Sequence, residues 1–167
     1  FRTGSQDANY RAIRLRLQGE KYLGESKLSG HLSLNNRITT TDMTRYSSAT
    51  NVTENTRGVE SELNTALRWD QPINLHYVSV GTEYIKLWHT DKQFFNDVGT
   101  QSQYDTSSVD QVLWMQDAWT PKETLTMTSG LRFENMSLHS DSSDQTHLGV
   151  LPSVALKWQP DEVWVMR

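Results

Sequence analysis

The chain has 167 residues, 35% of them hydrophobic, and a mean hydropathy of −0.66. Its longest apolar runs, Val112–Met115 and Val163–Met166, fall far short of the ~20 residues that a spanning helix needs, so helical membrane crossing is excluded. A net charge of −4 argues against general nucleic-acid binding, and the lack of Cys removes disulfides and thiolate metal sites.

Period-two alternation is the dominant signal and predicts strands throughout. The first, Tyr10–Tyr22, places Ile13, Leu15 and Leu17 opposite Arg14, Arg16, Gln18 and Glu20. A turn at Leu23–Ser26 follows, with Gly24 supplying conformational freedom. The second strand, Lys27–Thr41, aligns Leu28, Leu32, Leu34 and Ile38, with Gly30 marking a bend. Asp42–Arg57 reads as a polar loop. The third strand, Gly58–Trp69, sets Val59, Leu63, Leu67 and Trp69 against Glu60, Glu62, Asn64 and Arg68.

The fourth strand, Asn74–Trp88, sets Val78, Val80, Tyr84 and Trp88 opposite Ser79, Gly81 and Glu83. Next comes a predicted long loop, His89–Ser108, carrying Phe94, Phe95 and Tyr104. The fifth strand, Val109–Trp119, is apolar on both faces, so its inward face stays unassigned by pattern. In the sixth, Glu123–Met136, Leu125, Met127, Leu131 and Phe133 oppose Thr126, Thr128, Gly130, Arg132 and Glu134. A further polar loop, Ser137–Thr146, leads to the seventh strand, His147–Trp158, where Pro152 predicts a bulge or kink. An eighth strand begins at Val163. Phe1 and the alternation that stops at Arg167 are read as the limits of a fragment.

Three segments share one device: Trp69-Asp70-Gln71-Pro72, Trp119-Thr120-Pro121-Lys122 and Trp158-Gln159-Pro160-Asp161. Each reads as a short turn at one end of the strands, while long polar loops lie at the other. Strands of 11 to 15 residues exceed the ~9–11 that cross a bilayer with tilt. The expected fold is therefore all-β, an antiparallel transmembrane β-barrel of which about 8 strands are present. The three tryptophans should lie in one aromatic girdle, with Phe94 and Phe95 at the opposite end. Arg132 should face the lumen, because Arg at the bilayer midplane costs ~2–4 kcal/mol. A soluble β-sandwich remains the alternative, since regular strand spacing fits both.

More specific segments follow. Val80-Gly81-Thr82-Glu83-Tyr84 resembles the "GAEY" strand end of TonB-dependent outer-membrane receptors, and Met115-Gln116-Asp117-Ala118-Trp119 resembles their "QDEW" segment. Leu125–Glu134 is similar to their "LTLTAGLRYD" strand, and Leu151–Pro160 to the "SPRLGLVYQP" strand after it. The four occur in the family's order across residues 58–167.

The resemblance implies a portion of a 22-stranded barrel around a plugged lumen. The plug domain, its TonB-contacting segment and the closing strands have no counterpart in this sequence. It further implies a receptor of the bacterial outer membrane for TonB-energised uptake of a scarce ligand, most often a ferric siderophore, with no covalent chemistry. The expected partners are the TonB complex through the plug, outer-membrane lipid and the ligand; no nucleic acid and no cofactor are implied. A porin-like channel, a barrel enzyme or a soluble binding module are the alternatives.

Ligand contacts are expected from flat aromatics and from cations that match acidic groups. The candidates are Trp88, Phe94, Phe95 and Tyr104, with Lys92 and Arg45 as anion contacts. Arg68, Glu83, Arg132 and Glu134 are expected on the lumen face, in structural roles. His139, Asp141, Asp144 and His147 carry metal-capable groups, but a Ser-rich loop does not preorganise a zinc site, and no metal is expected. No phosphate cradle or nucleophile elbow is present.

Overall fold

A computed structural model describes residues 4–46, 51–95 and 99–160. Seven strands occupy nearly all of them: β1 (Gly4–Leu23), β2 (Ser26–Tyr46), β3 (Asn51–Ile73), β4 (His76–Phe95), β5 (Thr100–Lys122), β6 (Leu125–Ser140) and β7 (Ser143–Trp158). They form one antiparallel sheet in sequence order. Among the described residues there is no second layer, so the sandwich alternative falls. The expected eighth strand at Val163 lies outside the described residues.

The strands are 16 to 23 residues long, well beyond those predicted from the alternation. Asp42–Arg57 and His89–Ser108 are largely strand, and Ser137–Thr146 is a hairpin turning on Asp141 and Ser142 alone. The expected long loops are thus corrected. Alternation disappears once both faces of a strand are polar, and a Ser/Thr-rich ladder then looks like loop. The backbone pairs all the same: β2 and β3 stay in register from Lys27↔Asp70 to Tyr46↔Asn51.

Two of the three Trp-Pro segments also turn later than expected. β3 runs through Pro72 to Ile73, and the chain reverses at Asn74-Leu75, with Asn74 in the left-handed region at φ 55°. β5 continues past Pro121 with a register shift between Trp119 and Lys122, so the proline falls where the ladder is already broken. Pro152 differs: Leu131↔Pro152 sits in an unbroken ladder. β7 is an edge strand here, and the missing N–H points away from β6. The bulge expected at Pro152 is absent.

Direct antiparallel partners put their side chains on the same face, so the register sorts every residue. One face carries Leu28, Trp69, Val80, Met115 and Leu131 as a single row across five strands. Leu17, Leu32, Leu34, Leu63, Leu67, Leu113, Phe133, Val150 and Leu156 extend it. The apolar sides of all seven strands therefore coincide. The register also resolves β5: Leu113 and Met115 join the apolar face, while Val112, Trp114 and Gln116 take the other.

Among the described residues Val112 is the one buried hydrophobic side chain, at 2% exposure, whereas Leu17 is 71% and Val154 77% exposed. A sheet with this much uncovered apolar surface is built for an apolar medium. Trp69, Trp119 and Trp158 lie at the end of the short turns following β1, β3 and β5, and Phe94 and Phe95 lie at the far end of β4. The two groups are not mixed.

Candidate functional site

The opposite face is polar and organised in hydrogen-bonded clusters. Toward the short-turn end, Arg68 donates from Nε to both oxygens of Asp70, at 2.8 and 3.0 Å, and from Nη2 to Ser79 Oγ at 3.3 Å. Ser79 in turn donates to Asp70 Oδ1 at 2.6 Å. Asp70 and Ser79 are buried at 4% and 2% exposure, so the paired guanidinium meets the cost of desolvating the carboxylate. The Arg68 guanidinium also lies over the Trp114 ring, 5.6 Å from its centroid.

Trp114 can take that position because its direct partner is Gly81. A Cβ on Gly81 would overlap the indole, reaching within 2.8 Å of its Nε1. The ring covers the bare glycine backbone and fixes one wall of a groove of about 510 Å³. Arg16, Glu20, His31, Arg68 and Glu83 share its lining.

At mid-strand, Arg132 bonds Glu134 on its own strand and lies 3.9 Å from Glu83 across the sheet. Toward the far end, Arg37 pairs with Glu60 at 2.7 Å and His89 with Asp91 at 2.9 Å. These border a smaller groove of about 270 Å³ that also carries Thr39, Thr41 and Thr56. Positive and negative groups are thus mostly matched side by side, an arrangement suited to a wet, polar cavity.

Arg68, Glu83, Arg132 and Glu134 all fall on this polar face. The six ligand candidates do not stay together, and none of the five with described side chains sits in a loop. Trp88, Lys92 and Phe94 share the face of Val80, whereas Phe95 and Tyr104 share the face of Glu83. Arg45 is described by its backbone alone, in β2 opposite Val52. Lys86 places its ammonium 4.7 Å from the centre of the Trp88 ring, so Trp88 is engaged on the apolar side.

His139 hydrogen-bonds Asp144 on the apolar-side register, while His147 falls on the other face, so the two imidazoles are not brought together. Sequence reading missed Asp70, Ser79 and Trp114. Asp70 looked like a turn residue, and the two apolar faces of β5 concealed the direction of Trp114. The available signal was Gly81, a glycine inside a clean strand pattern.

A family model described as "TonB dependent receptor-like, beta-barrel" matches residues 2–167. The chain belongs to this TonB-dependent receptor β-barrel family, one of receptors rather than enzymes. Among solved structures it is similar to the copper transporter OprC, with TM-score 0.74, 14% identity, and coverage of 94% of this chain and 29% of that one. It is similar also to the pyoverdine outer-membrane receptor FpvA from Pseudomonas aeruginosa PAO1, with TM-score 0.67, 13% identity, and coverage of 95% and 28%. BauA, the ferric preacinetobactin receptor from Acinetobacter baumannii, gives TM-score 0.64 and 11% identity over 95% of this chain and 29% of that one. At these identities the likeness is one of fold. The chain spans less than a third of the length of these proteins. No curated protein sequence matches it.

Proposed function

We propose that this chain is a section of the wall of an outer-membrane receptor that imports a scarce ligand in a TonB-energised step, with a ferric siderophore as cargo. One observation carries the reading: across seven strands a single register puts the long apolar rows on one face and the arginine–carboxylate pairs on the other. The apolar face meets lipid, and the polar face lines the lumen. Arg68, Glu83, Arg132 and Glu134 then serve the wall and its plug, through the clusters already described.

For cargo, Phe95 and Tyr104 are the candidate aromatics that this orientation turns inward at the far end of the strands. Trp88, Lys92 and Phe94 turn outward, and we reassign them from the ligand to the membrane side. Pyoverdine and preacinetobactin in the names of two structural neighbours support the siderophore, while the copper transporter shows the same fold with another cargo.

The test is growth of a deletion strain on individual iron sources, with uptake of the labelled ferric complexes. Loss of uptake for one siderophore, restored by the full-length gene, is the expected result. Unchanged uptake of every siderophore refutes that cargo and leaves the barrel in place. Protein that stays monodisperse without detergent refutes the barrel.

A further inference from the structure

The sequence pattern sets His147 at the end of a Ser-rich loop, where a metal site finds no fixed frame. The structure sets it inside β7, on the polar face, as the direct partner of Met136. A strand fixes where its side chains start, so the objection raised by a flexible loop no longer applies. Across β5, β6 and β7 one row reads Asp110, Met136, His147, and the adjoining row reads Val112, Glu134, Gly149. Two carboxylates, a thioether and an imidazole thus stand together.

Gly149 leaves open the space between them. From the point that a Cβ there would occupy, His147 Nε2 is 3.8 Å away and Glu134 Oε2 4.0 Å. Neither atom has a hydrogen bond or ion pair among the described residues, because Arg132 holds Glu134 by its other oxygen. That bond orients the carboxylate, as outer partners of metal ligands do. Beside Met136, Asp110 keeps one oxygen buried without a hydrogen bond. Glu83, Glu134 and Asp110 all act on the single Arg132, so negative charge is in excess here.

Among the described residues no three imidazoles or carboxylates converge, which argues against a zinc or calcium cage. The remaining donor is the Met136 thioether, soft and flexible enough to reach an ion held by His147 and Glu134. Thioether ligands select copper(I) over hard cations. We propose that His147, Met136 and Glu134 form a binding site for monovalent copper on the polar face, with Asp110 adding charge at its edge. The ion sits over Gly149, ~2 Å from the imidazole nitrogen. This goes beyond the ferric cargo proposed above and needs from that reading only a wet polar face.

The experiment uses full-length protein in detergent, carbon-13 labelled at its methionine methyls, in chloride-free buffer. It is titrated with Ag(I), the redox-inert stand-in for copper(I), then with copper(I) under ascorbate and with Zn(II). One methyl resonance, missing from Met136→Leu, should shift with Ag(I) and copper(I) and stay in place with Zn(II). Loss of even a supporting group weakens metal sites by about 10- to 100-fold. Met136→Leu and His147→Gln should therefore each bind Ag(I) at least about tenfold more weakly by equilibrium dialysis. Gly149→Val, which keeps every ligand but fills the space above it, should do the same. His139→Gln, on the other face, should bind as wild type does.

Unchanged silver affinity in Met136→Leu overturns the site, and so does wild-type binding by Gly149→Val. Zinc held as tightly as silver overturns the choice of a soft ion. Heat-modifiable gel mobility judges the barrel separately, and siderophore uptake judges the ferric cargo, so either can fail without deciding the copper titration.

Discussion

Leu113→Arg probes the orientation at the strand whose faces the sequence pattern left undecided. Leu113 lies six residues from Trp119 on one side and six from Ser107 on the other. At ~3.4 Å per residue and a tilt of ~40°, each stretch gives roughly 16 Å along the membrane normal. That places Leu113 near the middle of an apolar band ~25 Å tall, flanked by Thr82 and Phe133. Arg there should cost ~2–4 kcal/mol, against ~0–1 near the interface. Met136→Arg is the control, because Met136 is exposed on the polar face and its partner Asp110 has an oxygen without a hydrogen bond. It should be neutral or slightly stabilising. The assay is reversible urea unfolding from lipid vesicles, where the expected loss for Leu113→Arg is on the order of 30- to 700-fold in the folded-to-unfolded ratio. Equal losses for the two variants would refute the assignment of faces.

Three further outcomes follow from the polar face and the far end. Gly81→Ala should destabilise by ~1–3 kcal/mol, because its methyl displaces the Trp114 ring; the penalty should shrink sharply in a Trp114→Ala background, as a double-mutant cycle would read. Asp70→Ala leaves Ser79 and Arg68 without their shared acceptor, and with Arg68 half-exposed to screening solvent the loss should be ~1–2 kcal/mol by thermal unfolding in detergent. Hydrogen bonds from Thr90 and then Gln103, with the nearby Lys92, hold the Asp105 carboxyl below the usual aspartate range of 3.8. A depressed carboxylate favours the folded state above its unfolded pKa, and the contribution is lost as pH falls through the lower folded value. Thr90→Val should move the carbon-13 titration of Asp105 back up; an unmoved midpoint would exclude Thr90 as the cause.

The alternation was legible wherever one face was apolar. Val78, Val80 and Tyr84 against Ser79 and Glu83 need only a period of two, and the register keeps them so. Beyond Trp88 and before Val109 that contrast vanishes, and the sequence offered no reason to continue β4 to Phe95 or to start β5 at Thr100. Pairing there comes from the neighbouring strand rather than from side-chain pattern. The same failure misplaced the candidate site. Trp88, Lys92 and Phe94 looked alike as loop residues, but on a strand each is bound to one face, and the even-numbered positions of β4 follow Val80 outward. Long-range clusters were hidden for a different reason. Nothing local connects Arg68 with Trp114, and only the β3–β4–β5 register sets them on either side of Gly81.

The tryptophans convert that register into a measurement. Trp69, Trp88, Trp119 and Trp158 follow the apolar face, whereas Trp114 alone among the described tryptophans follows the polar one. In single-tryptophan variants reconstituted in vesicles, lipids brominated near the headgroup should quench Trp69, Trp119 and Trp158, which cluster toward the short turns. Trp88 lies toward the other end of the strands, so bromination confined to one leaflet should separate it from those three. Trp114 should escape the brominated lipid at every depth, because the thickness of the sheet and the Arg68 guanidinium stand on its two sides. A soluble protein with a shared core would quench none of the five. A wall turned the other way would quench Trp114 first and spare the rest. Strong quenching of Trp114 together with Trp69 fits neither orientation, since the β3–β4–β5 register sends the two residues to opposite sides.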